Sequence, residues 1–317
     1  MADLVKEVHE AIALQSQFQG LQPKDYLTTR LGGLTNLVFR LEPVSTKAKK
    51  AFAGNIIVRI PGPGTEEFID REVEAFNAEQ ASIAGVSAPI IYSDPQSGLM
   101  ISRCIDDIVT MNPDLFKSRK NSAARAGTAF RQLHQSGRQF RFRFELFAMI
   151  EDYLNILSTK DVDLPEGYHQ VVQAAEPVKA ALVKNPGSLA PCHCDPLCEN
   201  LLDDGERMWI IDWEYSGQND PYWDLGDLSV EGGFDDAQDM EMLRAYCNGN
   251  PDQESIARMV IYKAMCDLLW TLWGLIQHAN NNPAEDFWAY SIERFERCKN
   301  LMNTRKFKDH IQTIASA

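Results

Sequence analysis

Positive charge is what this chain has too little of: 31 Lys and Arg stand against 45 Asp and Glu, a formal net charge of -14. An acidic surface repels nucleic acid and anionic membrane surfaces, so both are excluded as expected partners, whereas a small cation is a compatible substrate. Long apolar runs are lacking too. The most apolar window, Met259 to Ile276, is broken by Lys263 and Asp267, which predicts a buried helix and no membrane insertion. Cysteine gives no disulfide framework, since the seven residues are odd in number and scattered, and no secretory apolar segment opens the chain; a reducing cytoplasm is the expected compartment. What is present is enough chain for two lobes with real cores: 317 residues, 44% hydrophobic and 24% charged.

The most informative stretch runs from Pro191 to Asp212. His193-x-Asp195-x-x-x-x-Asn200 places a carboxylate and an amide on one short loop. Leu201-Leu202, the turn signal Asp203-Asp204-Gly205 and the apolar run Met208 to Ile211 then predict a hairpin ending at Asp212. Phosphoryl transfer needs these parts: a base for the attacking hydroxyl, here Asp195, and oxygen ligands for Mg²⁺, here Asn200 and Asp212. A surface hairpin whose Asp and Asn merely make turns is the bland alternative. The nearby Cys192, Cys194 and Cys198 have C-x-C-x-x-x-C spacing without a second ligand pair, so they are expected to pack under the loop and not to bind zinc.

His193 to Asn200 followed by Ile211-Asp-Trp-Glu-Tyr215 closely resembles the choline/ethanolamine kinase family, within the aminoglycoside-phosphotransferase-like and protein-kinase-like group. The resemblance implies an α+β, two-lobed protein-kinase-like fold: a small antiparallel-sheet N-lobe (1–103) and a larger, mainly helical C-lobe (104–317). It implies ATP and Mg²⁺ as cofactors. Gly32-Gly33-Leu-Thr35-Asn36 resembles the family's nucleotide loop, where glycines let backbone approach phosphate. Arg59, on the predicted buried strand Asn55 to Ile60, matches the basic residue that contacts the α/β-phosphates and pairs with a helix carboxylate. On the next helix, predicted from Glu66 to about Ile83, Ile69, Val73, Phe76 and Ile83 define the apolar face, and Glu72 lies beside it while Glu74 points away. Glu72 is therefore the expected partner. Strands Pro89 to Tyr92 and Gly98 to Ser102 complete the sheet, and Ser102 to Ile105, with Ser102 and Cys104, would be the adenine-binding hinge.

Farther on, helices are predicted over Ser122 to Ser136, Glu145 to Leu157 and Tyr168 to Val183, after a short one over Leu4 to Phe18. Arg138, Arg141 and Arg143 interleaved with Phe140, Phe142 and Phe144 read as an extended segment with one buried face. Asn219 to Gly226 resembles a family segment whose Asp224 braces the catalytic loop. Glu231 matches the acidic residue at the substrate ammonium, although Gly232-Gly233 departs from the eukaryotic pattern just beyond it. In the helix Glu254 to Ala279, Trp270 and Trp273 share a face. By resemblance they form an aromatic wall with Tyr290, and Tyr215 is a further candidate. Ring faces suit a quaternary ammonium, which cannot donate N–H hydrogen bonds. Choline is thus the expected substrate. An ethanolamine kinase, an aminoglycoside or other small-molecule kinase, and a non-catalytic cation-binding pseudokinase remain as alternatives.

Overall fold

The computed structural model describes residues 2–13, 15–31, 36–62 and 69–317; Gly32, Gly33 and Thr35 of the expected nucleotide loop lie outside the described residues. The chain divides into two compact units, Met1–Val109 with Trp209–Tyr215, and Thr110–Met208 with Ser216–Ala317.

The first unit contains α1 (Ala2–Ala13), β1 (Tyr26–Arg30), β2 (Asn36–Pro43), α2 (Thr46–Ala51), β3 (Ile56–Pro61), α3 (Arg71–Ile83), β4 (Ile90–Asp94) and β5 (Leu99–Arg103). Its five strands form an antiparallel sheet in the order β1-β2-β3-β5-β4. The β-branched run of β3 takes the central position, with Val38 and Met100 opposite Arg59. That excludes an edge-strand, solvent-facing Arg59. Alternate residues of β2, β3 and β5, among them Phe39, Leu41, Ile56, Val58 and Ile101, join Val8 and Ile12 of α1 and Phe52 in one buried cluster. The period-two pattern is what aims these side chains to one face. The opening helix stops at Ala13, and Ser16–Phe18 forms a separate 3₁₀ turn that buries Phe18.

Between the units' boundaries run the two-residue strand β6 (Val109–Thr110), α4 (Pro113–Ser118), α5 (Ser122–His134), α6 (Leu146–Leu157), α7 (Tyr168–Ala174), α8 (Glu176–Lys184), β7 (Ala190–Cys192), β8 (Leu201–Asp203) and β9 (Met208–Ile210). After them come β10 (Gly217–Asn219), α9 (Tyr222–Glu231), α10 (Asp236–Cys247), α11 (Gln253–Ala279), α12 (Phe287–Met302) and α13 (Arg305–Ser316). The helix expected over Tyr168 to Val183 is broken after Ala174 because Pro177 can stand only in a first turn, which α8 supplies. Helix α11 is long and apolar enough to cross a membrane, yet most of its residues are buried within the protein, as the Lys263 and Asp267 interruptions predict. The Arg/Phe segment is extended, with Phe144 N donating to Gln218 O at 3.0 Å. It buries Phe140 and Phe144, but Phe142 (φ 69°) turns out and is half exposed.

The turn between β8 and β9 is built as its sequence demands: Gly205 takes φ 92°, and Asp204 N donates to Arg207 O at 3.3 Å. Asp203 is fully buried and accepts from Arg119 Nε (2.7 Å) and from Arg125 Nε (2.7 Å) and Nη2 (2.6 Å). Burial alone would raise its carboxyl; the two guanidiniums outweigh that and hold it below the usual range.

Candidate active site

In the first unit the phosphate-side residues form an ion network. Arg59 Nη1 is bonded to Glu74 Oε1 and lies 3.5 Å from Asp212 Oδ1 and 3.7 Å from Glu214 Oε1. Arg71 Nη1 donates to both Glu74 Oε2 and Glu214 Oε1, each at 2.7 Å, and Asn36 Nδ2 donates to Glu214 Oε1 at 2.9 Å. Two donor nitrogens of Arg59, Nε and Nη2, are buried without a hydrogen-bond partner among the described residues. Unmet guanidinium donors of this kind suit a polyphosphate, which accepts through many oxygens.

Glu74, not Glu72, is thus the helix partner of Arg59. Helix α3 buries Glu74, Ala75, Asn77, Ala78 and Ala81, whereas Glu72 is exposed and Ile83 is 55% exposed. Its buried face is defined by small residues and by the ion network, so Val73 and Phe76 are only half-buried at its margin and Ile83 faces out. Asp70 caps the helix by accepting from Glu72 N (3.0 Å) and Val73 N (3.1 Å), which fixes its start at Arg71. Glu74→Gln is expected to cost ~2–3 kcal/mol, the scale of a buried hydrogen bond to a charged group. Glu72→Gln should stay within ~0.5 kcal/mol. Denaturant midpoints of the two variants check this, and equal effects would return the role to Glu72.

Asp212 lies just past β9 with φ 68°, a left-handed backbone that a non-glycine side chain adopts only at a cost of about 1–3 kcal/mol. The segment around it is pinned by Ile210 N donating to Val86 O (2.9 Å) and Trp213 Nε1 donating to Ser87 Oγ (3.2 Å). Its Oδ1 is buried without a hydrogen bond. Burial, then the neighbouring Glu214, pushes its carboxyl up to about 7 against the pull of Arg59. Carboxylate oxygens of Glu74, Asp212 and Glu214 lie within 4.8 Å of one another, but Glu74 and Glu214 are engaged by arginines. That leaves Asp212 as the hard oxygen donor suited to Mg²⁺, and a divalent cation would hold it ionised.

Ser102 pairs with Ile57 on one side and Ile90 on the other. Cys104 N donates to Asn55 O at 3.0 Å, so that donor is spent within the sheet and is not open to an adenine edge. Tyr215 belongs to this unit, whereas the Trp pair belongs to the other.

In the second unit the catalytic loop is held by Asp224. Its carboxylate accepts from His193 N (2.7 Å) and Cys194 N (2.8 Å), and His134 Nε2 stands 3.0 Å from it. Trp223 Nε1 donates to Cys194 O at 2.9 Å, and Cys194 itself has φ 67°. The pairing of β7 with β10 brings the start of α9 to this loop. Asn200 Nδ2 donates to Asp195 O at 3.0 Å, so the amide nitrogen is spent on the loop and its Oδ1 is the end suited to a cation. Cys192, Cys194 and Cys198 are buried, and burial pushes all three thiols up. Cys192 Sγ lies 3.5 Å from Asn219 O, and Asn219 Nδ2 lies 3.8 Å from Cys194 Sγ, which seats both side chains under the loop.

The same unit assembles the aromatic residues. Trp273 is half-buried; the rings of Trp270, Phe287 and Tyr290 lie edge-on to it at centroid distances of 6.4, 5.5 and 5.9 Å. Gly274 permits this packing, because a Cβ there would lie 2.3 Å from Ser291 Oγ and 2.6 Å from Tyr290 Cδ1. Trp270, only 4% exposed, donates from Nε1 to Asp227 Oδ2 at 3.2 Å. One oxygen of Glu231 is already engaged: Arg294 Nη2 donates to its Oε1 at 2.5 Å. Arg294 also lies 4.3 Å over the Tyr290 ring, which takes one of its faces. Sequence reading missed Arg294, Phe287 and Asp227. Of the three only Asp227 carried a signal, standing at helical spacing between Asp224 and Glu231.

Residues 27–255 match the profile of the family described as Choline/ethanolamine kinase. A crystal structure of a choline/ethanolamine kinase family protein from Mesorhizobium loti is 52% identical, with a TM-score of 0.87, covering 99% of this chain and 100% of that one. The choline kinase LicA from Streptococcus pneumoniae is 25% identical with a TM-score of 0.75, covering 95% and 99%. Human Ethanolamine kinase 1 is 26% identical over 301 residues, 80% of this chain and 64% of that protein. An aminoglycoside 2'-phosphotransferase, 13% identical with a TM-score of 0.64, shares the protein-kinase-like α+β fold. The chain belongs to the choline/ethanolamine kinase family and is an ATP-dependent phosphotransferase that acts on an alcohol.

Proposed function

We propose that the alcohol is choline and the product phosphocholine. The observation that carries this reading is the half-buried Trp273 with three rings edge-on around it. A trimethylammonium group cannot donate N–H hydrogen bonds, and ring faces attract it by ~0.5–2 kcal/mol each. A primary ammonium has three donors and needs no such wall.

In this reading Asp195 accepts the proton of the choline hydroxyl as its oxygen bonds to the γ-phosphorus and the bond to the bridging oxygen of ADP breaks. Arg59 directs Nε and Nη2 to the phosphates. Asn200 Oδ1 and Asp212 would hold Mg²⁺, which neutralises charge on the phosphate oxygens when bound. Asp224 acts on none of the reacting atoms; it fixes the main chain on either side of His193.

ADP release measured with choline, ethanolamine, aminoglycosides and thiamine tests the assignment, and a preference for ethanolamine would replace it. Trp273→Ala should lower kcat/KM for choline by about 1–2 kcal/mol and affect ethanolamine less. Trp270 is nearly enclosed, so Trp270→Ala should chiefly destabilise the fold, by ~3–5 kcal/mol. A large fall in melting temperature of Trp273→Ala with an unchanged choline-to-ethanolamine ratio would show that ring to be core.

A further inference from the structure

The family resemblance points to Glu231 as the carboxylate facing the substrate cation, but the charges around it are already paired. Glu231 is bonded to Arg294. Asp267 accepts from Arg297 Nε (2.7 Å) and Nη2 (2.6 Å), with Arg294 Nη1 at 3.4 Å. Two guanidiniums thus serve two carboxylates, and the third carboxylate of the group, Asp227, is left over. It is 1% exposed; its Oδ2 accepts from Trp270 Nε1, and its Oδ1 is buried with no hydrogen-bond partner among the described residues.

We propose that Asp227 supplies the counter-charge for the substrate's ammonium group and makes this enzyme select cationic over neutral alcohols. The proposal rests on the amino-alcohol kinase reading above. Burying a carboxylate whose nearest cation, Arg294, is already bonded to Glu231 is costly, and the fold tolerates it most readily where a ligand brings further positive charge. Two features locate that ligand. Trp270, an aromatic wall residue, is bonded to Asp227, and Tyr290 lies within electrostatic reach of Asp227, Glu231 and the proposed base Asp195. Burial, then Glu231 and Asp195, raises the Asp227 carboxyl far above the usual range while Arg294 opposes the shift; a cation bound beside it would favour the ionised form. Asp227 acts through space, as a charge behind the Trp270 ring, so its contribution should not depend on whether the ammonium carries N–H groups.

The test measures kcat/KM for choline, ethanolamine and the uncharged choline isostere 3,3-dimethylbutan-1-ol in the wild type and in Asp227→Asn. The amide keeps an oxygen for the Trp270 N–H and removes only the charge. Asp227→Asn should raise KM for both cationic alcohols by at least ~10-fold, leave kcat near the wild-type value, leave the uncharged isostere unaffected and not lower the melting temperature. An unchanged preference for choline over its isostere would overturn the proposal while leaving the kinase assignment in place. A fall in melting temperature would also overturn it, since it would mean that the charge is matched inside the fold; Asp227→Ser serves as the second neutral variant. If the wild type phosphorylates no cationic alcohol, the functional reading itself fails, and this proposal with it.

Discussion

Asp195→Asn is expected to reduce turnover by at least ~10²-fold, the scale of lost general-base chemistry, while ATP binding and melting temperature stay near wild type. Two contacts that shape the loop at this residue run through its main chain: Asp195 O accepts from Asn200 Nδ2 at 3.0 Å and from Leu197 N at 2.9 Å. An amide side chain leaves both of these intact and removes the charged proton acceptor. Burst and steady-state ADP release, with ATP affinity measured separately, check the expectation, and near-normal turnover would remove Asp195 from the base role.

Asp224→Ala should be the most damaging change outside the residues assigned to chemistry. The carboxylate is fully buried and is the acceptor for two consecutive main-chain N–H groups, His193 and Cys194, besides facing His134 Nε2. Removing it strands two buried donors, each worth about 1–3 kcal/mol, and takes the partner of His134 Nε2, leaving that ring only its Nδ1 contact with the Tyr246 hydroxyl at 3.1 Å. The expected loss of stability is therefore ~3–5 kcal/mol. Turnover should fall as well, because Cys194 sits in a left-handed conformation that its neighbours must enforce. Asp224→Asn keeps one acceptor and should lose less on both counts. Equilibrium denaturation combined with kcat separates the variants; wild-type stability in Asp224→Ala would show that the loop holds its shape by itself.

The elements most legible in the sequence are those encoded locally. Ile56 to Ile60, Ile90 to Tyr92 and Leu99 to Ser102 announce strands by β-branched content, and the 193–200 loop announces its chemistry by spacing. Helix α3 was misread because its face is set by what it packs against: three alanines and a glutamate go inward, while Ile83 faces solvent. The same limit applies to Glu231, whose partner Arg294 lies 63 positions along the chain, and to Cys104, whose N–H is claimed by Asn55. Periodicity reports on one element at a time; ion pairs between distant elements leave no period behind.

The first unit's discontinuity bears on how the protein is made. When residues 1–109 leave the ribosome, Arg59 and Arg71 have only Glu74 of their network; Asp212 and Glu214 belong to a segment, Trp209–Tyr215, that emerges about a hundred residues later. Until then the cluster holds two guanidiniums and one carboxylate and is net positive. Arrival of the segment reverses its sign, to three carboxylates against two guanidiniums. Synthesis order thus keeps the nascent N-terminal unit without its proposed magnesium ligand Asp212 until the first segment of the second unit, Thr110–Met208, has been translated, and a fragment ending at Val109 would lack that acidic half.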